Sequence, residues 1–318
     1  MHYQVNGYSV KGSSHIKNED SFYFKVAEQY IWLAVFDGVS EGGNGEIASG
    51  LAREVMTAML NDITSGINIP KFGLAILSKA QNEIISKQQE SEELARISTT
   101  AVIACIDTVA KKLHWFSIGD SALFICGNTK KPVKLTVEDS VNGYLLAKRK
   151  VSVSEAKKMF VGNALNWCLG KHVDTDELIA HVHYGCAPLK PQETIMVCSD
   201  GLYSYLPPKY ISRILREGDS IEKKNTMLIK SAKVHGSRDD TTVVCAIPDG
   251  EKKAGQVPFA IVLAAIVFFF ALGFLCGTLL TFHLKGKDVK LSPIIQEAVQ
   301  VIAPIDSLTI IHEENETD

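Results

Sequence analysis

Four aspartates stand at the mouths of apolar, strand-like runs, each next to a glycine or a second acid. They are Asp37 in Val35-Phe36-Asp37-Gly38-Val39, Asp120 in Ser117-Ile118-Gly119-Asp120, Asp200 in Val197-Cys198-Ser199-Asp200-Gly201, and Asp239 in Ser237-Arg238-Asp239-Asp240-Thr241. An acid at the end of a buried strand is costly unless a positive charge meets it. Carboxylates crowded together force one another to protonate, and a hard divalent cation with oxygen ligands relieves that repulsion. Oxygen-only ligation favours Mg2+ or Mn2+ over zinc. Two such ions can share a water, lower its pKa and clamp a phosphoryl group for in-line attack. The four acids are therefore expected to converge on a divalent-metal site. One Asp-Gly turn has an ordinary structural explanation; the repeated context carries the weight. No Ser or Cys nucleophile motif and no GxxxxGK[ST] loop is present.

The elements that must position these acids follow from the apolar pattern. Tyr3, Val5, Tyr8 and Val10, then Phe22 and Phe24, then Ile31 to Phe36 read as strands. A polar loop from Gly12 to Asp20 joins the first two. After Asp37-Gly38, the glycine-rich stretch from Ser40 to Glu46 lets backbone come close to a ligand. Ile47, Leu51, Val55, Met59 and Ile63 predict a helix over 45–63, and Leu74, Leu77 and Ile84 a second over 71–90. Strands are expected at Ser98–Asp107, Leu113–Gly119, Ala122–Cys126 and Val133–Thr136, then at 177–184 and 193–199. Helices over 207–217 and 221–235 and a strand Thr241–Ile247 follow. Residues 138–170 are less regular, and their basic run Lys148-Arg149-Lys150 suits either a solvated surface or a substrate-facing flap. Meandering strands with helices inserted in pairs predict an α+β fold, a central β-sandwich flanked by helices.

The 318 residues are 46% hydrophobic and 22% charged, with net charge −3, and lack the basic footprint of a nucleic-acid binder. Seven cysteines contain no CxxC pair and several sit in apolar runs, so they read as core hydrophobes of a reducing compartment. The opening Met1-His2-Tyr3-Gln4 has no signal-peptide pattern. At Pro258 the composition changes. Residues 257–282 carry no charge and are long enough to cross a bilayer as a helix. The expected organisation is a catalytic domain over 1–249, a linker over 250–256, a single transmembrane helix over 257–282 and a short tail over 283–318. Lysines flank the apolar run on both sides, so a cytoplasmic catalytic domain rests on the cysteines and the missing signal pattern. Gly273 and Gly277 form a GxxxG that offers a surface for dimerisation.

Taken in order, Asn18-Glu19-Asp20, Asp37-Gly38 with Gly45-Glu46 and Ser49, Ser98-Thr99-Thr100, Gly119-Asp120-Ser121, Leu135-Thr136 with Asp139-Ser140, Ser199-Asp200-Gly201-Leu202 and Ser237-Arg238-Asp239-Asp240-Thr241-Thr242 form a specific set. Over residues 5–248 it resembles the metal-dependent type-2C serine/threonine protein phosphatases. The resemblance implies a sandwich with its metals in a cleft at one end. It implies a membrane-anchored phosphatase acting on phosphoserine and phosphothreonine proteins, the products of a serine/threonine kinase, with at least two Mg2+ or Mn2+ ions. By the same resemblance Asp37, Asp200 and Asp239 are the catalytic acids: Asp37 bridges two ions, Gly38 lends its carbonyl, and Asp200 and Asp239 complete the first ion's shell. Asp120, with Asp200, matches a third, weaker site; Glu19 and Asp20 act through metal-bound waters.

Three positions depart from the family pattern. His15 stands where relatives carry an arginine that grips the substrate phosphate, and Ala122 replaces the arginine that customarily follows Gly-Asp-Ser. Asp240 stands where Asn is usual and receives no ligand role. A histidine is largely neutral at pH 7 and lacks the bidentate fork, so phosphate binding is expected to weaken by roughly 1–3 kcal/mol. Two other readings fit the residues: a catalytically weak module that binds phosphoproteins or a kinase at the membrane, which His15 favours, and a phosphatase of small, non-protein phosphates.

Overall fold

The alternating segments near the N-terminus form antiparallel ladders in the computed structural model, which describes residues 2–39, 42–61, 63, 66–127, 131–148 and 164–249. The linker, the uncharged run 257–282 with Gly273 and Gly277, the tail 283–318, Arg149-Lys150 and Ser40-Glu41 lie outside the described residues. Among the described residues no helix is long and apolar enough to cross a membrane.

Strands β1 (Tyr3–Val10), β2 (Asp20–Ala27) and β3 (Tyr30–Val39) lead into helices α1 (Gly45–Asn61) and α2 (Ile69–Gln88). Next come β4 (Ser98–Thr99), β5 (Ala101–Asp107), β6 (Lys112–Ile118), β7 (Ala122–Cys126), β8 (Val133–Lys134) and α3 (Val141–Ala147). The domain continues with α4 (Thr175–Ala180), β9 (His183–Pro188), β10 (Thr194–Cys198), α5 (Asp200–Tyr203), α6 (Pro208–Arg216), α7 (Ile221–Val234) and β11 (Thr241–Pro248). One sheet has the order β1-β11-β10-β7-β8, the other β2-β3-β5-β6-β9 with β4 also on β3. Strand β1 pairs antiparallel with β11, from Tyr3 opposite Pro248 to Val10 opposite Thr241.

The two sheets bury Leu33, Val35, Val102, Ile195, Val197 and Val244 between them. Trp32, Ala34 and Phe36, on the opposite face of β3, pack under α1 and α2. Met196, Cys198, Val243 and Cys245 pack under α6 and α7. A strand covered on both faces reads as an unbroken apolar run, which is why Ile31 to Phe36 shows no alternation. Asn68 caps α2, its side chain accepting the Lys71 N–H at 3.0 Å, with a proline in the first turn. Gly73 lets α2 settle on β6, since a Cβ there would lie 2.3 Å from the Phe116 ring.

The expected α+β sandwich is what forms, and four local expectations change. The segment 177–184 is not one strand: Thr175–Ala180 is helical, with Asp176 and Glu177 in its first turn where they suit the helix dipole, and the strand begins at His183. Of Val133–Thr136 only Val133 and Lys134 form the strand, although the Leu135 N–H still donates to the Leu123 carbonyl at 2.9 Å. Val141–Ala147 forms a helix within the stretch read as irregular. The strand expected over Ser98–Asp107 is interrupted at Thr100, although β4 and β5 keep one register against β3.

Gly73→Ala tests the closeness of the α2–β6 contact, because the buried Phe116 ring has no free space to yield. It is expected to destabilise the domain by roughly 1–3 kcal/mol, read as a lower urea midpoint with an unchanged m-value.

Candidate metal centre

The inner face of β3 carries Ile31, Leu33 and Val35 into the sandwich core, and the next residue on that face is Asp37. The ladder sets Asp20 of β2 directly opposite Asp37. Opposed side chains in an antiparallel pair share a face, with Cβ atoms roughly 5 Å apart. Two carboxylates thus leave the core side by side. Asp20 Oδ2 accepts hydrogen bonds from Ser199 Oγ at 2.8 Å and Thr242 Oγ1 at 2.6 Å. Its other oxygen, Oδ1, is buried with no partner.

Backbone contacts fix Asp37. Its N–H donates to Thr100 Oγ1 at 3.1 Å, and its carbonyl accepts from the Thr100 N–H at 2.9 Å and Thr99 Oγ1 at 3.0 Å. Gly38 is confined to glycine, because a Cβ would lie 2.3 Å from the Gly45 carbonyl oxygen and 2.5 Å from that of Glu19. The Gly38 N–H donates to the Glu19 carbonyl at 3.1 Å. The glycine-rich turn and the Asn18-Glu19-Asp20 loop are thereby packed together.

Asp120 is held through its backbone on both sides. Gly119 takes a left-handed conformation, φ +97°, pressed against Thr100. Its N–H donates to Asp139 Oδ2 at 3.0 Å, and Asp139 Oδ1 pairs with His183 Nε2 at 2.7 Å. The Asp120 carbonyl accepts the Tyr203 hydroxyl at 2.7 Å. Tyr203 also contacts Glu138, which forms an ion pair with Lys134. A cavity of about 670 Å3 shares Glu138 and Asp139 with this wall and extends to Trp167, His181 and His183.

Asp200 opens α5 just after β10, and Asp239 lies two residues before β11. The neighbouring Asp240 is buried, and its oxygens are filled by protein donors. Oδ1 accepts the Gly12 N–H at 2.6 Å, while Oδ2 accepts the Glu19 N–H at 2.7 Å and meets His15 Nδ1 at 2.8 Å. Asp240 therefore straps the 12–19 loop to the start of β11. Ser14 adds two bonds to the Arg238 carbonyl, at 3.1 and 2.7 Å. The His15 Nε2 lies 3.7 Å from Asp239.

The electrostatics join these acids into one system. Burial, then Asp20, Asp200, Asp120 and Asp239, push Asp37 well above the usual carboxylate range. Burial, then Asp120, Asp239 and Glu138, do the same to Asp200. Burial lifts Asp20 to about 7 against its bonds from Thr242 and Ser199, and burial with Glu138 lifts Asp120 to about 7. Asp37, Asp120 and Asp200 are densely surrounded yet keep partial solvent access. Burial also raises Glu19. For His15, burial opposes the charge, but the bond to Asp240 and the carboxylates Asp240, Asp239 and Glu19 outweigh it and raise the pKa above 6.5.

Among the described residues, no three His, Cys, Asp or Glu side chains already close on a single ion position. The fit to a cation lies in the donor set: mutually repelling carboxylates, hard oxygens throughout, and the orphaned, buried Asp20 Oδ1.

The family model described as Protein phosphatase 2C matches residues 11–228. The chain belongs to the protein phosphatase 2C family. Family membership makes it a serine/threonine protein phosphatase by class. The chain is similar to the serine/threonine phosphatase stp of Listeria innocua, 22% identical over 235 residues, covering 72% of this chain and 89% of that one. Among solved structures, Stp1 of Staphylococcus aureus superposes with TM-score 0.70 at 20% identity, covering 79% of this chain and 96% of that one. The catalytic domain of PstP in complex with two manganese ions superposes with TM-score 0.64 at 21% identity, covering 77% and 97%. These structural likenesses establish a shared protein phosphatase 2C fold.

Two expectations test this electrostatic arrangement in the phosphatase. A carboxyl whose pKa rises on folding holds a proton that the unfolded chain has released, so stability falls as pH climbs from the unfolded to the folded value. With Asp20 and Asp120 at about 7, against 3.8 for an ordinary aspartate, the metal-free protein loses stability as pH rises from about 4 to 7, and the raised Asp37 and Asp200 act in the same direction. Melting temperatures in chelator should follow that curve, Asp20→Asn should flatten it, and Mn2+ should stabilise more at pH 7.5 than at 5.5. Asp240→Ala strips the partner from two backbone N–H groups and His15, and is expected to cost roughly 2–3 kcal/mol in urea unfolding, with Asp240→Asn milder.

Proposed function

We propose that this phosphatase removes phosphate from phosphoserine and phosphothreonine proteins with two divalent cations, Mg2+ or Mn2+, held by the carboxylate cleft. The observation that carries the reading is the Asp20–Asp37 pair, set opposite each other in the ladder with one buried oxygen unpartnered. When bound, the ions would supply a water of lowered pKa and neutralise the phosphoryl oxygens. Asp37 would hold both ions, with the Gly38 carbonyl, Asp200 and Asp239 as further ligands. Asp120 with Asp200 would hold a third ion, and Glu19 and Asp20 would act through water. The two manganese ions in the PstP complex support a pair of divalent cations.

The chain's own residues do the remaining work. Thr99 and Thr100 fix the backbone of Asp37, so its carboxylate is aimed without help from an ion. His15 is the candidate grip on the substrate phosphate. Asp240 holds its Nδ1, and the surrounding carboxylates favour the imidazolium, leaving Nε2–H as a donor toward the cleft. A single donor replaces the two-pronged grip of arginine. Asp139 and His183 hold the Gly119 turn that aims Asp120.

The phosphatase is further proposed to be anchored by residues 257–282 as one membrane-spanning helix, with the catalytic domain on the cytoplasmic side and the tail 283–318 beyond the helix. The uncharged stretch supports the anchor, and Gly273 with Gly277 supports pairing of two such helices. Its substrates would then be phosphoproteins of a serine/threonine kinase reachable from the bilayer surface.

Hydrolysis of an aryl phosphate and of a phosphothreonine protein should require Mn2+ or Mg2+, vanish with chelator, and fall at least about 100-fold in Asp200→Ala. Metal binding without turnover in the wild-type protein would replace this reading with a phosphoprotein-binding module. His15→Arg should lower KM for the phosphoprotein about tenfold with little change in metal affinity; an unchanged KM would remove His15 from the phosphate site.

A further inference from the structure

Outside the carboxylate cleft, one cluster combines a nucleophile, a base and an orienting group. Edge strand β9 pairs with β6 so that Cys186 faces His114 and Tyr184 faces Phe116. Cys186 is exposed, whereas Cys105, Cys126, Cys198 and Cys245 are buried and Cys168 is partly so. The Cys186 Sγ lies 3.7 Å from His114 Nε2, and the other ring nitrogen, Nδ1, lies 3.0 Å from the Tyr184 hydroxyl. Tyr184 is steadied by its ring against Phe116, with centroids 5.1 Å apart. Phe116 in turn is wedged beside Gly73 of α2.

A thiol within reach of an imidazole that a third group orients is the arrangement that raises thiolate reactivity. One tautomer donates Nδ1–H to the Tyr184 oxygen and leaves Nε2 free to take the thiol proton. The carboxylates of the cleft have no part in this cluster. Burial also lowers the His114 pKa, which keeps the imidazole neutral and able to accept a proton.

We propose that Cys186, His114 and Tyr184 form a thiol-reactive modification site that takes low-molecular-weight disulfides. His114 Nε2 accepts the Cys186 proton, and the thiolate sulfur attacks one sulfur of the disulfide. A new S–S bond forms as the old one breaks, and the departing thiolate takes the proton back from His114. Cys186 ends oxidised as a mixed disulfide, and the other half of the reagent leaves reduced as a thiol. A small thiol in excess reverses the exchange. His114 here acts on the thiol proton directly, while Tyr184 is a positioning residue that orients His114 and also lies within hydrogen-bond reach of the Cys186 thiol.

The test exposes the full-length chain to glutathione disulfide at pH 7, times the release of glutathione and maps the adduct by peptide mass. The adduct is expected on Cys186, forming about tenfold faster than at the same residue of the chain unfolded in denaturant. His114→Gln should slow the folded chain about tenfold, and Tyr184→Phe should slow it less while flattening the pH–rate profile near neutrality. Reaction of folded Cys186 no faster than in the unfolded chain would overturn the proposal, as would His114→Gln reacting at the wild-type rate. If circular dichroism shows that His114→Gln does not fold, Tyr184→Phe decides: a slower reaction upholds the site and an unchanged one removes it.

Discussion

The structure turns on two like charges placed face to face. β2 and β3 have one register, set by the apolar residues along them, and that register brings Asp20 opposite Asp37. A slip by one residue would move every side chain of β2 to the wrong face, so the fold cannot escape the repulsion by sliding. It is contained locally instead. Ser199 and Thr242 donate to one Asp20 oxygen from the opposite sheet, and protonation takes up part of the remaining charge in the absence of an ion. A cation bound as proposed above would be the third party to this contact.

The supporting groups are hydroxyls and glycines because acids accept hydrogen bonds and cannot donate them. Thr100 shows the economy of the arrangement: its hydroxyl meets the Asp37 N–H and the Ser121 hydroxyl, and its N–H meets the Asp37 carbonyl. It sits where β4 gives way to β5, so the interruption in that strand and the fixing of Asp37 are one event. Gly38 and Gly201 allow contact that a Cβ would block; at Gly201 the clash would be with the Asp240 carbonyl, 2.0 Å away.

The sandwich and the identity of the acids were legible in the chain because both leave local marks. Apolar alternation, helical spacing and an acid beside glycine occupy adjacent positions, as in Val35-Phe36-Asp37-Gly38. Asp240 was harder to read, since its partners Gly12, His15 and Glu19 lie more than two hundred residues away and only the folded ladder joins them. Its departure from the usual Asn, together with His15, was the one available hint of a pair. Tyr203, Glu138 and His183 carried no such signal; each looks like an ordinary surface or helix residue until Asp120 and Asp139 are placed beside it. The strand expected at 177–184 failed for a related reason, because Asp176 and Glu177 favour a helix start that apolar spacing alone did not show.

The pairing of β1 with β11 has a consequence for how the protein comes into being. β1 joins its sheet only when Tyr3 meets Pro248, and Asp20 gains its Thr242 contact once β11 is in place. Such distant pairings are slow to form because a long loop must close first. During synthesis the acids from Asp20 to Asp200 emerge well before the strand that completes their surroundings. In a growing chain these acids therefore lack their full surroundings until β11 is free to dock, and the interval before docking is when its unpaired edges are most open to misassociation.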